Sequence, residues 1–308
     1  MLNFLYAFDE NYDIQGCVSM FSLLENVKEK INIYIIKDQS NSSFSIPKKI
    51  QDHKNLNNLV IKNIRTKEEF YNVTLAHVSQ ATFYRLYLSS LFEEEDFNII
   101  YLDADIVCVG NPINQLTKAF NDMDSNANFI GFADELKRNE YSEPFLRLEM
   151  NNDKYFNAGV MLLNLKKWKE KNYTQKSLEL IKKLKDRAKF WDQDILNSLI
   201  DGRYYTISND LNFRTEGSFV DRRLDNVKFV HYSGKSKPWS VGGIFEEHGK
   251  IYHKYYQALF GKEFHFVVNN RRNSILKIMK YFKYFKKLPI NSLFKYFILS
   301  LVAIIKKN

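Results

Sequence analysis

Short apolar runs alternate with stretches of helical period through the N-terminal part of the chain, and this alternation limits the fold more than any other feature. Leu2 to Phe8, Ile31 to Ile36 and Asn58 to Ile64 are rich in apolar residues, aromatic in the first run and β-branched in the other two, as strands are. Between the first two, Ile14, Val18, Phe21, Leu24 and Val27 recur at the spacing of one helix face, and Ala81 to Phe92 also reads as helical. Asn98 to Leu102, continued by Val107-Cys108-Val109, predicts one further buried strand carrying the tripeptide Asp103-Ala104-Asp105. Strand and helix in repeated alternation imply βαβ units, hence an α/β fold with a mostly parallel central sheet. Ligands of such sheets bind at the carboxyl ends of the strands. Asp9 and the Asp103/Asp105 pair both fall at strand ends, which puts them on one rim.

Carboxylates are almost never buried unless paired or bound to a metal. Two at the end of an apolar strand ask for a cation, and oxygen donors favour Mg²⁺ or Mn²⁺, ions that commonly also hold a substrate diphosphate. The plainer alternative is a turn cap. A second group lies in His231-Tyr-Ser-Gly-Lys-Ser-Lys-Pro-Trp239, after the last core strand, Val227 to Val230. An imidazole added to two carboxylates shifts preference from Mg²⁺ toward Mn²⁺. Gly234 lets a backbone N–H approach an anion, and Lys235 and Lys237 add positive charge. A structural histidine in a solvated loop is the competing reading. Asn128 to Ala133 predicts a strand ending at Asp134, and Phe156 to Asn164 a strand in which Gly159 permits close approach of another group. After a charged helix from Thr174 to Lys189, Asp192-Gln193-Asp194 opens a short helix, where acids serve equally well as caps. Arg85 lies among Phe83, Leu86 and Leu88 on an apolar helical face.

Charge is distributed unevenly. The chain of 308 residues carries +9, but residues 269–308 contain ten Lys and Arg and no acid, so the remainder carries a net −1. Ile275, Ile278, Met279, Phe282 and Phe285 recur at helical spacing, and Pro289 separates them from a second apolar stretch, Tyr296 to Ile305. Counted from Leu293, thirteen residues make about 20 Å of helix against a hydrocarbon core of about 30 Å, which suits the interface of an anionic membrane rather than a span. The aromatics accompany the apolar residues rather than forming a stacking platform, which argues against nucleic acid. Two cysteines, Cys17 and Cys108, imply no disulfide framework, and the opening residues read as a strand rather than a signal peptide. The expected organisation is a catalytic domain over 1–262 and a basic, aromatic helical tail over 263–308.

The chain resembles the family 8 retaining glycosyltransferases, in particular bacterial lipopolysaccharide galactosyl- and glucosyltransferases. The resemblance rests on Ala7-Phe-Asp-Glu-Asn-Tyr12, Thr82-Phe-Tyr-Arg-Leu86, Tyr101-Leu-Asp-Ala-Asp105, Phe156-Asn-Ala-Gly-Val160 with Asn164-Leu-Lys-Lys-Trp168, Asp192-Gln-Asp-Ile-Leu-Asn197 and His231 to Trp239, in that order. It implies a GT-A fold that takes a UDP-sugar with Mn²⁺ (or Mg²⁺). It further implies that Ala7, Asp9, Asn11 and Tyr12 hold the nucleoside, that Asp103, Asp105 and His231 ligate the metal, and that Ala104 lies beside the nucleotide. Gly234 and Lys237 are expected on the diphosphate. Arg85, Asp134, Asn157, Ala158, Asp192 and Gln193 are expected around the transferred sugar, with His77 and Val78 on the acceptor side. Partners implied are a UDP-hexose, a glycolipid or oligosaccharide acceptor and the inner face of a bacterial cytoplasmic membrane, with no protein partner. A sugar nucleotidyltransferase and a catalytically silent nucleotide-binding membrane protein are the rival readings.

Overall fold

A computed structural model describes residues 1–38, 44–64, 80–215, 224–234, 237–240 and 247–264, together with Phe294 and Ile298. The strands are β1 (Asn3–Ala7), β2 (Ile31–Asp38), β3 (Leu56–Ile64), β4 (Asn98–Leu102), β5 (Ile106–Cys108), β6 (Ile130–Lys137), β7 (Lys154–Asn164), β8 (Tyr205–Thr206), β9 (Phe213–Arg214) and β10 (Phe229–His231). Seven form one sheet in the order β3-β2-β1-β4-β7-β6-β8. Its β1–β2, β2–β3, β1–β4 and β6–β8 pairs are parallel, and β7 runs antiparallel to both β4 and β6. The sheet is therefore mostly parallel, as the alternation of periods predicts. Phe4, Leu5 and Tyr6 of β1 are fully buried, as befits a central strand covered on both faces. At the amino ends of the strands an amide ladder crosses the sheet: Asn57 donates to Asn32, Asn32 to Asn3, and Asn3 to the carbonyl of Asn98.

One expectation is corrected here. The run from Asn98 to Val109 is two strands in two sheets, because the chain breaks at Asp103-Ala104-Asp105. β4 ends in the large sheet at Leu102, and β5 joins the small sheet β5-β10-β9, where His231 stands opposite Ile106. Asp103 closes the corner in both directions, its N–H donating to Gly159 O at 2.9 Å and its carbonyl accepting from the Ile106 N–H at 3.2 Å. The buried apolar character is continuous across the break, so sequence pattern alone does not reveal it.

β6 likewise runs past the predicted end at Asp134, to Lys137, by absorbing a bulge. The charged helix is Tyr173–Leu184, stopped by Lys185 in a left-handed conformation, and the following helix is Trp191–Ile200. Asn197 fastens that last helix to β7: its Oδ1 accepts the Phe156 N–H at 2.9 Å and its Nδ2 donates to Phe156 O at 3.0 Å.

The chain divides into two compact units, residues 1–213 with 223–231, and residues 214–222 with 232–308. The expected boundary at 262/263 falls inside the second unit. Within that unit Tyr232 donates to the carbonyl of His248, and Tyr232, Trp239, Tyr256 and Phe264 pack around Tyr252. Of the expected tail over 263–308, Glu263, Phe264, Phe294 and Ile298 are described, the last two helical and exposed; the rest lies outside the described residues. Among the described residues no helix is long and apolar enough to cross a membrane.

Candidate active site

Because β1 and β4 are parallel neighbours, their carboxyl ends share one rim, and both ends carry acids. Asp9 follows β1 and caps a short 3₁₀ turn (Glu10–Tyr12), accepting the Asn11 N–H at 3.0 Å and the Asn11 side-chain amide at 3.2 Å. Ala7 is the last residue of β1 and is buried. Asp103 and Asp105 follow β4.

Asp103, Asp105 and His231 each offer one atom to a cluster whose members lie within 4.8 Å of one another. His231 Nε2 is 3.3 Å from Asp105 Oδ1 and 3.9 Å from Asp103 Oδ2. The protonation of this imidazole can be derived from its neighbours. The backbone N–H of Gly159 donates to Asn157 at 3.0 Å, so the atom facing it is the amide oxygen. Asn212 approaches that same oxygen at 2.9 Å and must present its NH₂. The opposite end of the Asn212 amide, its oxygen, therefore faces His231 Nδ1 at 2.9 Å. Nδ1 carries the proton, and in the neutral ring Nε2 turns a bare lone pair toward two carboxylates. Three electron-rich atoms converging in this way repel each other unless a cation lies among them. The donor set of two carboxylates and one neutral imidazole, oriented through its second nitrogen, fits a divalent ion such as Mn²⁺.

Gly159 makes room for the ring. A Cβ at this position would lie 2.3 Å from His231 Cε1 and 2.7 Å from Nδ1, distances that no side chain tolerates.

Arg85 ties the acid rim to the helix Trp191–Ile200. Only 5% exposed, it sets Nη2 2.5 Å from Asp103 Oδ1, Nη1 2.6 Å from Ala158 O and Nε 2.9 Å from Asp192 Oδ2, with its guanidinium 4.0 Å from the Tyr101 ring centroid. Burial works against the Arg85 charge, but the carboxylates of Asp103 and Asp192 more than offset it and raise its pKa. Asp192 is pushed up to about 7, chiefly by burial; Arg85 pulls it down, and Asp103 adds to the rise. Tyr101 donates to Asp103 Oδ1 at 2.8 Å, and its own pKa rises well above the usual tyrosine value, mainly through burial.

Gln193 has all four of its hydrogen-bonding directions filled. Its Oε1 accepts from the Ala158 N–H at 3.1 Å and from Asn157 Nδ2 at 3.2 Å; its Nε2 donates to Glu135 Oε2 at 2.9 Å and to Tyr155 OH at 3.1 Å. Asp194, fully buried, accepts from Tyr155 OH, Arg147 Nη1 and the Phe190 N–H at 2.7–2.8 Å and so anchors the start of the helix.

Comparison with known proteins agrees with this arrangement. Residues 3–242 match the family model "Glycosyl transferase family 8". The chain belongs to glycosyl transferase family 8. A lipopolysaccharide 1,2-glucosyltransferase of Escherichia coli strain K12 is 29% identical over 258 residues, covering 79% of this chain and 74% of the relative. A lipopolysaccharide 1,3-galactosyltransferase of Salmonella typhimurium is 26% identical over 254 residues, covering 79% and 74%. Among solved structures, the galactosyltransferase LgtC in complex with donor and acceptor sugar analogues superposes with a TM-score of 0.69, at 23% identity over 84% of this chain and 96% of that one. At that identity the likeness establishes the fold, GT-A.

For a family 8 chain, the structure brings together eight expected residues: Arg85, Asp103, Asp105, Asn157, Ala158, Asp192, Gln193 and His231. Ala104 is the buried residue between the two acids. Ala7, Asp9, Asn11 and Tyr12 form a separate group at the end of β1. Asp134 accepts from Tyr204 OH at 2.6 Å and Thr206 Oγ1 at 3.2 Å, toward the edge strand β8. Gly234 and Lys237 belong to the second unit, where Gly234 has φ +74° and Lys237 Nζ donates to Tyr232 O. His77 and Val78 lie outside the described residues, as do Lys235 and Ser236. Sequence reasoning missed Asn212, Glu135, Tyr155 and Arg147. Only Tyr155 adjoins a quoted motif; the others sit where nothing in local pattern separates them from surface residues.

Proposed function

We propose that this chain is a Mn²⁺-dependent retaining hexosyltransferase that moves glucose or galactose from a UDP-sugar to a saccharide of a bacterial surface glycolipid. The observation that carries the reading is the convergence of Asp103, Asp105 and His231 Nε2 within 4.8 Å on the rim where β1 and β4 end. Family membership supports hexosyl transfer, and the names of the lipopolysaccharide glucosyl- and galactosyltransferase relatives support the acceptor class.

Asp103, Asp105 and His231 would hold the ion, which when bound draws negative charge away from the departing diphosphate. The chain's own residues do the rest. Asp9, Asn11 and Tyr12 bind the nucleoside; Gly234 and Lys237 bind the diphosphate. Arg85 keeps Asp103 and Asp192 from repelling each other. Ionised Asp192 accepts from hydroxyls of the sugar and fixes its orientation, which removes an entropic part of the barrier. Gln193 offers a rigid dipole rather than a nucleophile, since an amide oxygen attacks carbon poorly and this one already accepts two hydrogen bonds. Departure and attack on one face of the sugar follow from that. The basic tail holds the protein on the anionic inner face of the cytoplasmic membrane, where a lipid-linked acceptor is presented.

A panel of UDP- and GDP-hexoses with Mn²⁺, followed by nucleotide release and the anomeric configuration of the product, tests this reading. UDP release with retention is expected. Pyrophosphate release identifies a nucleotidyltransferase instead, and Mn²⁺-dependent UDP binding with no turnover of any donor identifies a silent binding protein. Deleting residues 270–308 should abolish co-flotation with anionic vesicles; a truncated chain that still floats refutes the tail's role.

A further inference from the structure

Glu135 belongs to none of the motifs on which the family resemblance rests, yet the fold takes trouble to present it. β6 and β7 pair Asp134 with Phe156 and Leu136 with Tyr155, which leaves Glu135 as the extra residue of a β-bulge. Bulges re-aim a side chain that regular alternation would direct elsewhere. This one places Glu135 beside Leu136, opposite Tyr155, on the face where the Trp191–Ile200 helix packs. There its Oε2 accepts from Gln193 Nε2 at 2.9 Å.

The direction of that hydrogen bond is not in doubt. The Ala158 N–H can only donate, so Gln193 turns its oxygen to β7. A carboxylate can only accept, so the NH₂ turns to Glu135. The Tyr155 hydroxyl gives its proton to Asp194 and accepts from the same NH₂. Tyr155 and Asp194 thus hold the amide only weakly on this side, and Glu135 supplies the one charged partner, the stronger kind of hydrogen bond.

We propose that Glu135 is the positioning residue of Gln193: it locks the carboxamide so that its dipole keeps one orientation toward the transferred sugar. The inference rests on the transferase reading above for its kinetic part, and on geometry alone for the contact. Without an acceptor at position 135, the amide keeps only its bonds to the Ala158 N–H, Asn157 Nδ2 and Tyr155 OH, one NH₂ direction is left unheld, and the dipole is fixed less tightly.

The test compares Glu135→Leu and Glu135→Gln in the full-length protein with Mn²⁺ and the UDP-hexose that the wild type turns over. Glu135→Leu is expected to lower kcat roughly 10- to 100-fold while the donor KM stays within about twofold, the pattern of lost positioning rather than lost binding. Glu135→Gln retains an oxygen that can accept from Gln193 and should recover most of kcat. A Glu135→Leu variant with wild-type kcat overturns the proposal, and so does a fall in kcat that Glu135→Gln fails to restore at all. A second measurement needs no turnover: the side-chain NH₂ signals of Gln193, assigned by their disappearance in Gln193→Leu, followed by ¹H–¹⁵N NMR. They should move in Glu135→Leu and partly return in Glu135→Gln; signals that stay in place overturn the contact itself. If the wild type releases no UDP from any donor while those signals move, the transferase reading falls and the Glu135–Gln193 lock stands.

Discussion

Replacing Asn212 by leucine tests the derivation of the metal site at its least obvious point. Asn212 is 1% exposed, and among the described residues no hydrogen bond joins it to a carboxylate; its contribution is to accept the Nδ1 proton of His231 at 2.9 Å. Leucine has the same branched outline, with two methyl groups in place of the amide oxygen and nitrogen, but accepts nothing. Asn157 is not orphaned by the change, because its oxygen keeps the Gly159 N–H. The imidazole, 4% exposed, is left with a buried donor unpaired, which costs about 1–3 kcal/mol. The ring can recover part of that by moving its proton to Nε2 and donating to Asp105, 3.3 Å away. That rearrangement removes the lone pair from the metal site. The expected result is a loss of Mn²⁺ affinity of about 10- to 100-fold, equivalent to about 1.4–2.7 kcal/mol, with a smaller change in the stability of the metal-free protein. Calorimetric or EPR titration with Mn²⁺ measures the affinity. Imidazole ¹⁵N spectra, at a pH where the ring is neutral, report the tautomer directly. The reasoning is refuted if Asn212→Leu binds Mn²⁺ as the wild type does, or if the wild-type ring carries its proton on Nε2.

Three further substitutions probe the same rim. Gly159→Ala puts a methyl group 2.3 Å from His231 Cε1, so the ring must leave its place; Mn²⁺ binding should fall at least tenfold, and unchanged binding in an ordered variant means the ring is not held against β7. Arg85→Met leaves Asp103 and Asp192 facing each other without a cation, which should cost about 3–5 kcal/mol in chemical denaturation; a loss under about 1 kcal/mol shows that water screens the pair. Asp192→Asn concerns pH. Burial raises the Asp192 pKa from 3.8 to about 7, so the folded metal-free protein holds a proton that the unfolded chain releases. The resulting stabilisation is complete below 3.8 and is lost as pH climbs toward 7, by at most about 1.4 kcal/mol per pH unit. Asp192→Asn should flatten that stretch of the stability profile, and an identical slope in both proteins would show that Asp192 is ionised throughout.

How much of this could be read from the chain depends on the range of the interactions concerned. β1, β2 and β3 are set by local apolar pattern, and periodicity finds each of their ends to within two residues. The pairing of β1 with β4, which makes Asp9 and Asp103 neighbours on one rim, follows from general rules for parallel sheets. The change of sheets at Asp103 to Asp105 is different in kind. Leu102 and Ile106 are equally buried, and what separates their strands is the partner each one finds, β7 for the first and β10 for the second. Local composition carries no trace of that choice. The same holds for Asn212 and Glu135. An asparagine between Leu211 and Phe213, or a glutamate after Asp134, gains its meaning only from a neighbour 19 or 58 positions away. The acids, the histidine and the glutamine were legible because they recur as motifs; the groups that orient them recur as nothing.

Asn157 shows why those orienting groups matter as a set. Its oxygen, fixed by the Gly159 N–H, dictates which way Asn212 faces and thereby which nitrogen of His231 is bare. Its NH₂ donates to Gln193 Oε1, and Gln193 in turn meets Glu135. A single amide thus transmits one backbone hydrogen bond of β7 to both the metal ligand and the glutamine. Neither branch can invert alone, because reversing any amide sets donor against donor at one end and oxygen against oxygen at the other. The direction of the whole relay is therefore written into the backbone of β7. The motif Phe156-Asn-Ala-Gly159 needs an amide at 157 and no side chain at 159 for one and the same reason: together they decide where the His231 proton resides and leave the ring space to turn its lone pair toward the two aspartates.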